Sequence, residues 1–220
     1  MEEKANFVDM RRMMVENQIV SRGIKEKRVI EAFLKVPREM FVPEHLKECA
    51  YQDGPLSIGE GQTISQPYIV ALMTKALDVK GGEKVLEVGT GSGYQSAILA
   101  EIGCDVYSVE RIKKLAIRAK KVLKELGYNV KIKIGDGTLG WDEFAPYDRI
   151  IVTAAGPDIP PSLYNQLKDG GIIIMPVGDR YFQDLILVKK IGDRMEKKNF
   201  GGCQFVPLIG AEGWRDEEEL

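Results

Sequence analysis

The sequence has few of the residues from which metal sites and disulfide frameworks are built. Its 220 residues include only three cysteines and one histidine. Cys49, Cys104 and Cys203 are far apart and form no CxxC pair, so neither a zinc site nor a disulfide framework is expected. His45 by itself cannot form a histidine-rich metal site. We therefore predict that the protein binds no metal.

An excess of charge of one sign and long apolar runs are also missing. The chain has 31 Lys and Arg against 33 Asp and Glu, a net charge of −2, and so lacks the basic excess of a nucleic-acid-binding protein. The longest apolar run, residues 171–177, is too short to cross a bilayer. The charged N-terminus lacks the apolar core of a secretion signal. We expect a cytoplasmic protein that binds neither nucleic acid nor membranes. Its oligomeric state is open, with a monomer as one option.

From residue 81 onward, apolar strands alternate with helices. The pattern predicts helices at 95–101, 111–126 and 161–167, and strands at 84–88, 105–109, 130–134, 149–153, 172–176 and 185–189. Such alternation is typical of an α/β fold with a doubly wound, mostly parallel, Rossmann-like sheet and helices on both faces. A ligand is then expected outside the carboxyl ends of the strands, where the strand order reverses.

The first third of the chain has a different pattern. Apolar residues recur at helical spacing within 7–15 and 29–34, and a further helix is predicted at 68–77. Residues 51–67 are rich in Gly, Ser, Gln and Pro without clear periodicity, which predicts a long ordered loop of the kind that often carries function. We predict one domain in three parts: a helical and loop region that contributes to the substrate site (1–80), a Rossmann-like cofactor-binding core (81–210) and an acidic tail (211–220).

Residues 85–94, VLEVGTGSGY, take a predicted strand through a glycine-rich turn into a helix. Glycines permit a sharp turn and the close approach of a ligand to the main chain, and a helix N-terminus offers unpaired N–H groups. The spacing is GxGxG, so the third glycine comes one residue earlier than in the GxGxxG fingerprint that binds a pyrophosphate. Taken alone, the segment is also compatible with a simple strand-to-helix turn.

Two acids follow the next two predicted strands. Glu110 comes about 20 residues after the glycine turn, where doubly wound folds place a carboxylate on ribose hydroxyls. Asp136 lies between Gly135 and Gly137 and suits contact with an adenine amino group. Each acid has a plainer interpretation, since acids are favoured at helix N-termini and in turns. In register with the glycine turn, Glu110 favours the ligand interpretation.

Together the segments EVGTGSG, VER and GDG resemble the successive signatures of class I S-adenosylmethionine-dependent methyltransferases. The early third glycine fits this phosphate-free cofactor better than NAD. The resemblance implies that Gly89 and Gly91 approach the methionine moiety, that Glu110 holds the ribose, and that Asp136 and Gly137 lie near adenine. The full set of implied cofactor-binding residues is Glu87, Val88, Gly89, Thr90, Gly91, Ser92, Glu110, Arg111, Asp136 and Gly137.

The segment before the Rossmann-like part is more specific. Residues 53–56 (DGPL) and 61–68 (GQTISQPY) resemble the distinctive motif of the protein-L-isoaspartate O-methyltransferase family. Further matches are KVPR at 35–38, FVP at 41–43, MPVG at 175–178 and FVPL at 205–208, so the resemblance spans about residues 10 to 210. Some family members have Ala-Pro-His where this chain has Gln66-Pro67-Tyr68, so any role of that histidine cannot be transferred.

This resemblance implies an enzyme that methylates L-isoaspartyl residues in damaged proteins and peptides. It makes Ser65 the catalytic residue, and it implies that the substrate is bound by Thr63, Ile64, Ser65, Val177 and Gly178. A hydrolytic role for Ser65 is disfavoured, because the chain has no GxSxG motif and only one histidine. The acceptor carboxylate is ionised at neutral pH and needs no general base, so the main task is positioning.

Three other hypotheses remain open. The chain could be a class I methyltransferase with a small-molecule or RNA acceptor, although the balanced charge counts against RNA. An NAD-dependent oxidoreductase is disfavoured by the glycine spacing. A non-catalytic cofactor-binding module would bind the cofactor without turning over a damaged peptide.

Overall fold

The computed structural model describes residues 6–192 and 194–215 and forms a seven-stranded sheet covered by helices on both faces. Residues 216–220 of the predicted acidic tail (211–220) lie outside the described residues. The predicted α/β class and mostly parallel sheet are confirmed. The strands, in chain order after a small hairpin, are β3 (Lys84–Val88), β4 (Asp105–Glu110), β5 (Lys131–Ile134), β6 (Tyr147–Val152), β7 (Leu167–Gly178), β8 (Gln183–Ile191) and β9 (Arg194–Cys203).

The strand order is β5-β4-β3-β6-β7-β8-β9. The five strands β5-β4-β3-β6-β7 are parallel to one another, whereas β8 pairs antiparallel with both β7 and β9. The order reverses between β3 and β6, where Val88 pairs with Val109 on one side and Val152 on the other. The carboxyl ends of three strands therefore lie level at this point, which is where a doubly wound fold binds its ligand.

Helices surround this sheet and extend it at the N-terminus. The first helix, α1 (Phe7–Met14), continues as a π-helical stretch, Val15–Val20. The others are α2 (Lys27–Lys35), α3 (Pro67–Ala76), α4 (Tyr94–Ile102), α5 (Lys113–Glu125) and α6 (Pro161–Asn165). Short 3₁₀ turns cover Arg38–Phe41, Glu44–Cys49, Gly137–Leu139 and Asp142–Phe144.

The core has three apolar clusters. Because strand residues alternate between faces, Leu86 packs on the α6 side of the sheet while its neighbour Val85 packs on the α3 side. The third cluster joins the N-terminal helices to α4 and α5, with Phe33 edge-on against Tyr94. The N-terminal region is therefore packed directly on the helices that follow the glycine turn and β4.

The helix predicted at 161–167 ends at Asn165, and the strand predicted at 172–176 already begins at Leu167. Two further elements were not predicted at all. The segment 51–67, predicted as a loop, contains a hairpin of β1 (Leu56–Gly59) and β2 (Gln62–Ile64). Strand β9 was not predicted, because its residues are almost all exposed and show no apolar alternation. Both are short-range or edge elements whose pairing depends on neighbours that local composition does not reveal.

Candidate active site

The glycine turn follows β3 and is shaped by its own backbone. Gly89 has φ +93°, and a Cβ atom at this position would lie 2.5 Å from Thr153 Oγ1. The Thr153 hydroxyl is held there because it donates to the Gly89 carbonyl at 2.7 Å. Only glycine meets both demands. Residues 88–92, which end β3 and form this turn, are called the glycine wall below.

Glu110 is the last residue of β4, and its side chain bonds both the glycine turn and the turn that leads into α5. One carboxylate oxygen accepts the N–H of Gly91 at 2.8 Å and the other accepts the N–H of Ile112 at 2.9 Å. The side chain is only 5% exposed but contributes to the cleft lining. A carboxylate has about four acceptor sites, so Glu110 keeps capacity for hydroxyl donors.

Glu87 lies beneath the glycine wall and is fully buried. Its carboxylate accepts the hydroxyls of Ser96 and Ser108, and Ser108 lies 2.6 Å from the Thr90 hydroxyl. Burial raises the pKa of Glu87 to about 7, against the two serine hydrogen bonds, which lower it. The side chain supports the turn from below and does not line the cleft.

The hairpin wall consists of residues 62–65, which are strand β2 and Ser65. In β1 on the other side of the hairpin, Ile58 is fully buried and reaches within 3.7 Å of where a Cβ on Gly91 would lie. Arg118 of α5 donates to the Ile58 carbonyl. The hairpin therefore packs directly against the glycine turn and is fastened to the helix behind it.

The two walls enclose one cleft of about 880 Å³, a volume that includes open solvent. Most of the predicted site residues line it. Those on the predicted cofactor side are Val88, Gly89, Thr90, Gly91, Ser92, Glu110, Arg111 and Gly137, and those on the predicted substrate side are Thr63, Ile64 and Ser65.

Four predicted residues do not line this cleft: Glu87, Asp136, Val177 and Gly178. Asp136 accepts the N–H and hydroxyl of Thr138 at 2.8 and 2.6 Å, and the N–H of Ala211 at 2.7 Å. Gly178 is bonded through its N–H to the Gly156 carbonyl at 3.0 Å. The geometry gives these four no direct contact with the cleft, so their assigned roles stay predictions.

Several residues of the cleft were not predicted from the sequence. They are Gln62 of β2, Val70 and Met73 of α3, Tyr94 and Gln95 of α4, Val109, Ile112, Thr153, Ala154, and residues 206–209 near the C-terminus. Thr153 had a usable signal, since it is a polar residue at the end of a predicted strand at the reversal point. Residues 206–208 belong to a recognised motif but were not assigned a role.

The described residues contain neither a metal cluster nor a membrane-spanning helix. No group of three or more His, Cys, Asp or Glu side chains is arranged to hold a metal ion. No helix in the described part of the chain is long and apolar enough to cross a membrane.

The cleft fits S-adenosylmethionine. Its apolar sides include Val88, Val109 and Ile112, and Glu110 provides a carboxylate at the reversal point. The glycine turn brings bare backbone to the cleft surface, as a close-bound ligand requires.

The protein-L-isoaspartate(D-aspartate) O-methyltransferase family model matches residues 9–213. The chain belongs to this family. It is 59% identical over 207 residues to a protein-L-isoaspartate O-methyltransferase of Dictyoglomus thermophilum, covering 94% of each chain.

Solved structures of this family have the same fold. A protein-L-isoaspartate O-methyltransferase superposes with a TM-score of 0.83 at 31% identity, over 92% of this chain and 67% of that one. A Plasmodium falciparum protein described as a protein-L-isoaspartate O-methyltransferase, in complex with S-adenosyl-L-homocysteine, gives a TM-score of 0.79 at 26% identity. That match covers 94% of this chain and 99% of the other.

Proposed function

We propose that this chain is a repair enzyme that transfers a methyl group from S-adenosylmethionine to the free α-carboxylate of L-isoaspartyl residues in damaged proteins and peptides. The observation that best supports the proposal is that Thr63 and Ser65 line the same cleft as Gly89, Gly91 and Glu110. A cofactor and an acceptor could therefore meet there. The family membership and the names of the relatives support the same acceptor.

On the cofactor side, we assign binding to the glycine wall, Glu110, Arg111 and Gly137. S-adenosylmethionine supplies, when bound, a methyl group attached to a positively charged sulfur. Glu110 has acceptor capacity left for two ribose hydroxyls after its bonds to Gly91 and Ile112. Asp136 already accepts hydrogen bonds from Thr138 and Ala211, so it would bind the adenine amino group through its remaining acceptor sites. Glu87 would act through Ser108 and Thr90 rather than by contact.

On the substrate side, Ser65 and Thr63 orient the acceptor. A free α-carboxylate has a pKa of about 3.5 and is already ionised at neutral pH, so no side chain has to remove a proton. The hydroxyl groups can donate to one carboxylate oxygen and leave the other free to react. Positioning of this kind can account for roughly 7–11 kcal/mol of a reaction barrier. Val177 and Gly178 would contact the peptide only outside the cleft.

The chemistry after methyl transfer needs no further side chain. The methyl ester is a better electrophile than the carboxylate, so the neighbouring amide nitrogen attacks it and methanol leaves. The resulting succinimide hydrolyses in part to a normal aspartyl residue. This sequence returns a damaged site to its original connectivity.

The test is methyl transfer from labelled S-adenosylmethionine to two synthetic peptides that differ only in carrying L-isoaspartate or L-aspartate. We expect label in the isoaspartyl peptide alone, followed by slow release of labelled methanol. If neither peptide is labelled while S-adenosylhomocysteine still binds, the acceptor is wrong and a small molecule or RNA takes its place. If NADH binds instead, the cofactor assignment fails as well.

A further inference from the structure

A single buried side chain bonds both ends of the segment that carries the hairpin wall. Arg38 follows Pro37 in the 3₁₀ turn after α2 and is 0% exposed. Its Nε donates to the Ala50 carbonyl at 2.7 Å and its Nη2 donates to the Ser65 carbonyl at 2.8 Å. These two acceptors lie on either side of residues 51–64, so one planar guanidinium holds both ends of the segment.

The same guanidinium contacts the helix that follows the glycine wall. Its central carbon lies 4.9 Å from the centre of the Tyr94 ring. Tyr94 is the first residue of α4, is 1% exposed and lines the cleft. Phe33 and Phe41 pack edge-on against this ring at 5.9 and 5.5 Å, which holds it in place. Arg38 is therefore in contact with both sides of the cleft at once.

Arg38 also stabilises the fold, because its removal would leave the carbonyls of Ala50 and Ser65 without this donor. Burial lowers the pKa of Arg38 to about 10, which still leaves it ionised at neutral pH. The contribution particular to this arginine is geometric, because its fork can donate to two carbonyls in one fixed plane, whereas a lysine is a point charge.

We propose that Arg38 is a positioning residue for methyl transfer, acting through the main chain of Ser65. By holding the Ser65 carbonyl at a fixed distance from Tyr94, it sets the hairpin wall, and with it the acceptor carboxylate, against the glycine wall. The inference rests on the proposed function, because it concerns the geometry between donor and acceptor. It does not require Arg38 to touch either ligand.

The decisive variant is Arg38→Lys, measured for kcat, for the KM of an isoaspartyl peptide and for the affinity of S-adenosylhomocysteine. A shift of about 1 Å in the reacting groups can reduce turnover roughly a hundredfold, so kcat should fall by about that factor. The affinity for S-adenosylhomocysteine should be unchanged. Arg38→Met, which removes the charge but keeps an unbranched apolar stem, is the second variant if the lysine variant is poorly folded.

Arg149→Lys is the matched control. Arg149 also donates to two backbone carbonyls, those of Leu77 and Asp148, each at 2.8 Å, but neither of these residues lines the cleft, whereas Ser65 does. We expect it to lose thermal stability while keeping kcat. Full kcat in folded Arg38→Lys or Arg38→Met would overturn the proposal, as would an equal loss of kcat in Arg149→Lys. Failure of the proposed function is distinguishable, because the unmodified protein would then not label the isoaspartyl peptide.

Discussion

The glycine wall takes its shape from the backbone conformation of its glycines. The segment 51–67, which carries the hairpin wall, is held by side chains from distant parts of the chain. The turn at Gly89 and Gly91 has positive φ angles and is closed by Glu110 and Thr153 at the ends of adjacent strands. Residues 51–67 instead depend on three arginines. Arg22 lies in the turn after the π-helical stretch and bonds Asp53. Arg38, in the turn after α2, bonds Ser65, and Arg118 of α5 bonds Ile58.

This difference predicts how each wall tolerates change. At Gly89 an added Cβ atom would lie 2.5 Å from Thr153 Oγ1, so a single methyl group there should disable the glycine wall. Where side chains hold the wall, the loss on removing a contact should be larger the more deeply that contact is buried, because burial removes the competing water. Substitutions at Gly89, Glu110, Ser65 and Arg22 should test this contrast, with effects that decrease in that order.

Gly89→Ala should cause the largest loss. The left-handed backbone disfavours alanine by about 1–3 kcal/mol, and the added carbon would displace the Thr153 hydroxyl. We expect weaker binding of S-adenosylhomocysteine by calorimetry and turnover lower by roughly a hundredfold. Gly127→Ala is the control, since Gly127 has φ +80° but no atom within 4 Å of the added carbon. Equal behaviour of the two variants would contradict the close fit at Gly89.

Glu110→Gln should weaken cofactor binding, because the amide removes the charge and places an NH2 group where one oxygen now accepts a backbone N–H. Loss of hydrogen bonds to a charged acceptor corresponds to about 2 kcal/mol, which is roughly 30-fold in Kd. Titration calorimetry with S-adenosylhomocysteine measures this directly. Glu83→Gln is the matched control and should leave the affinity unchanged. Glu83 also accepts two backbone N–H groups, from Lys80 and Gly81, but lies outside the cleft. Unchanged affinity in Glu110→Gln would remove this residue from the cofactor site.

Ser65→Ala should lower kcat about tenfold, the expected effect of losing one hydrogen bond to a charged group. The affinity for S-adenosylhomocysteine should stay the same, because Ser65 is on the hairpin wall. Ser57→Ala, an exposed serine in the same hairpin, should leave both quantities unchanged. Full turnover in Ser65→Ala would show that its hydroxyl has no part in orienting the acceptor.

Arg22→Ala should have the smallest effect. Arg22 pairs with Asp53, which also accepts Gln66 Nε2 at 2.7 Å, but the paired side chains are 38% and 37% exposed. An exposed pair contributes about 0–1 kcal/mol, so a melting temperature lower by about 2–4 °C at most is expected, with kcat retained.

The contribution of Arg22 should also depend on pH. The hydrogen bond from Arg22 lowers the pKa of Asp53 below 3.8, so the stabilisation is present above that pH and is lost as the pH falls through the lowered value. Urea unfolding at several pH values would detect this. If Arg22→Ala lost as much kcat as the Arg38 variants, the exposed contact of Arg22 would matter as much to the hairpin wall as the buried contact of Arg38.

Much of the fold and the cofactor side of the cleft could be predicted. Strand β3 was predicted with the bounds that the structure has, and Glu110 was placed at the cleft from its distance to the glycine turn. The hairpin was not predicted, because Gly, Ser and Gln show no periodicity in a pairing this short. Arg38 was noticed only as part of a motif, since nothing in KVPR reveals which distant carbonyls its fork would reach.

Local patterns in the sequence were enough to predict the strand-to-helix turn at Gly89, the alternation typical of a parallel sheet, and the family. Each of these follows from local backbone conformation, hydrophobic period or motif spacing. The position of Glu87 below the turn, the bond of Asp136 to Ala211 and the link that Arg38 makes between Ala50 and Ser65 are instead set by the folded chain. These contacts connect residues distant in the chain, and their partners are selected by packing in three dimensions.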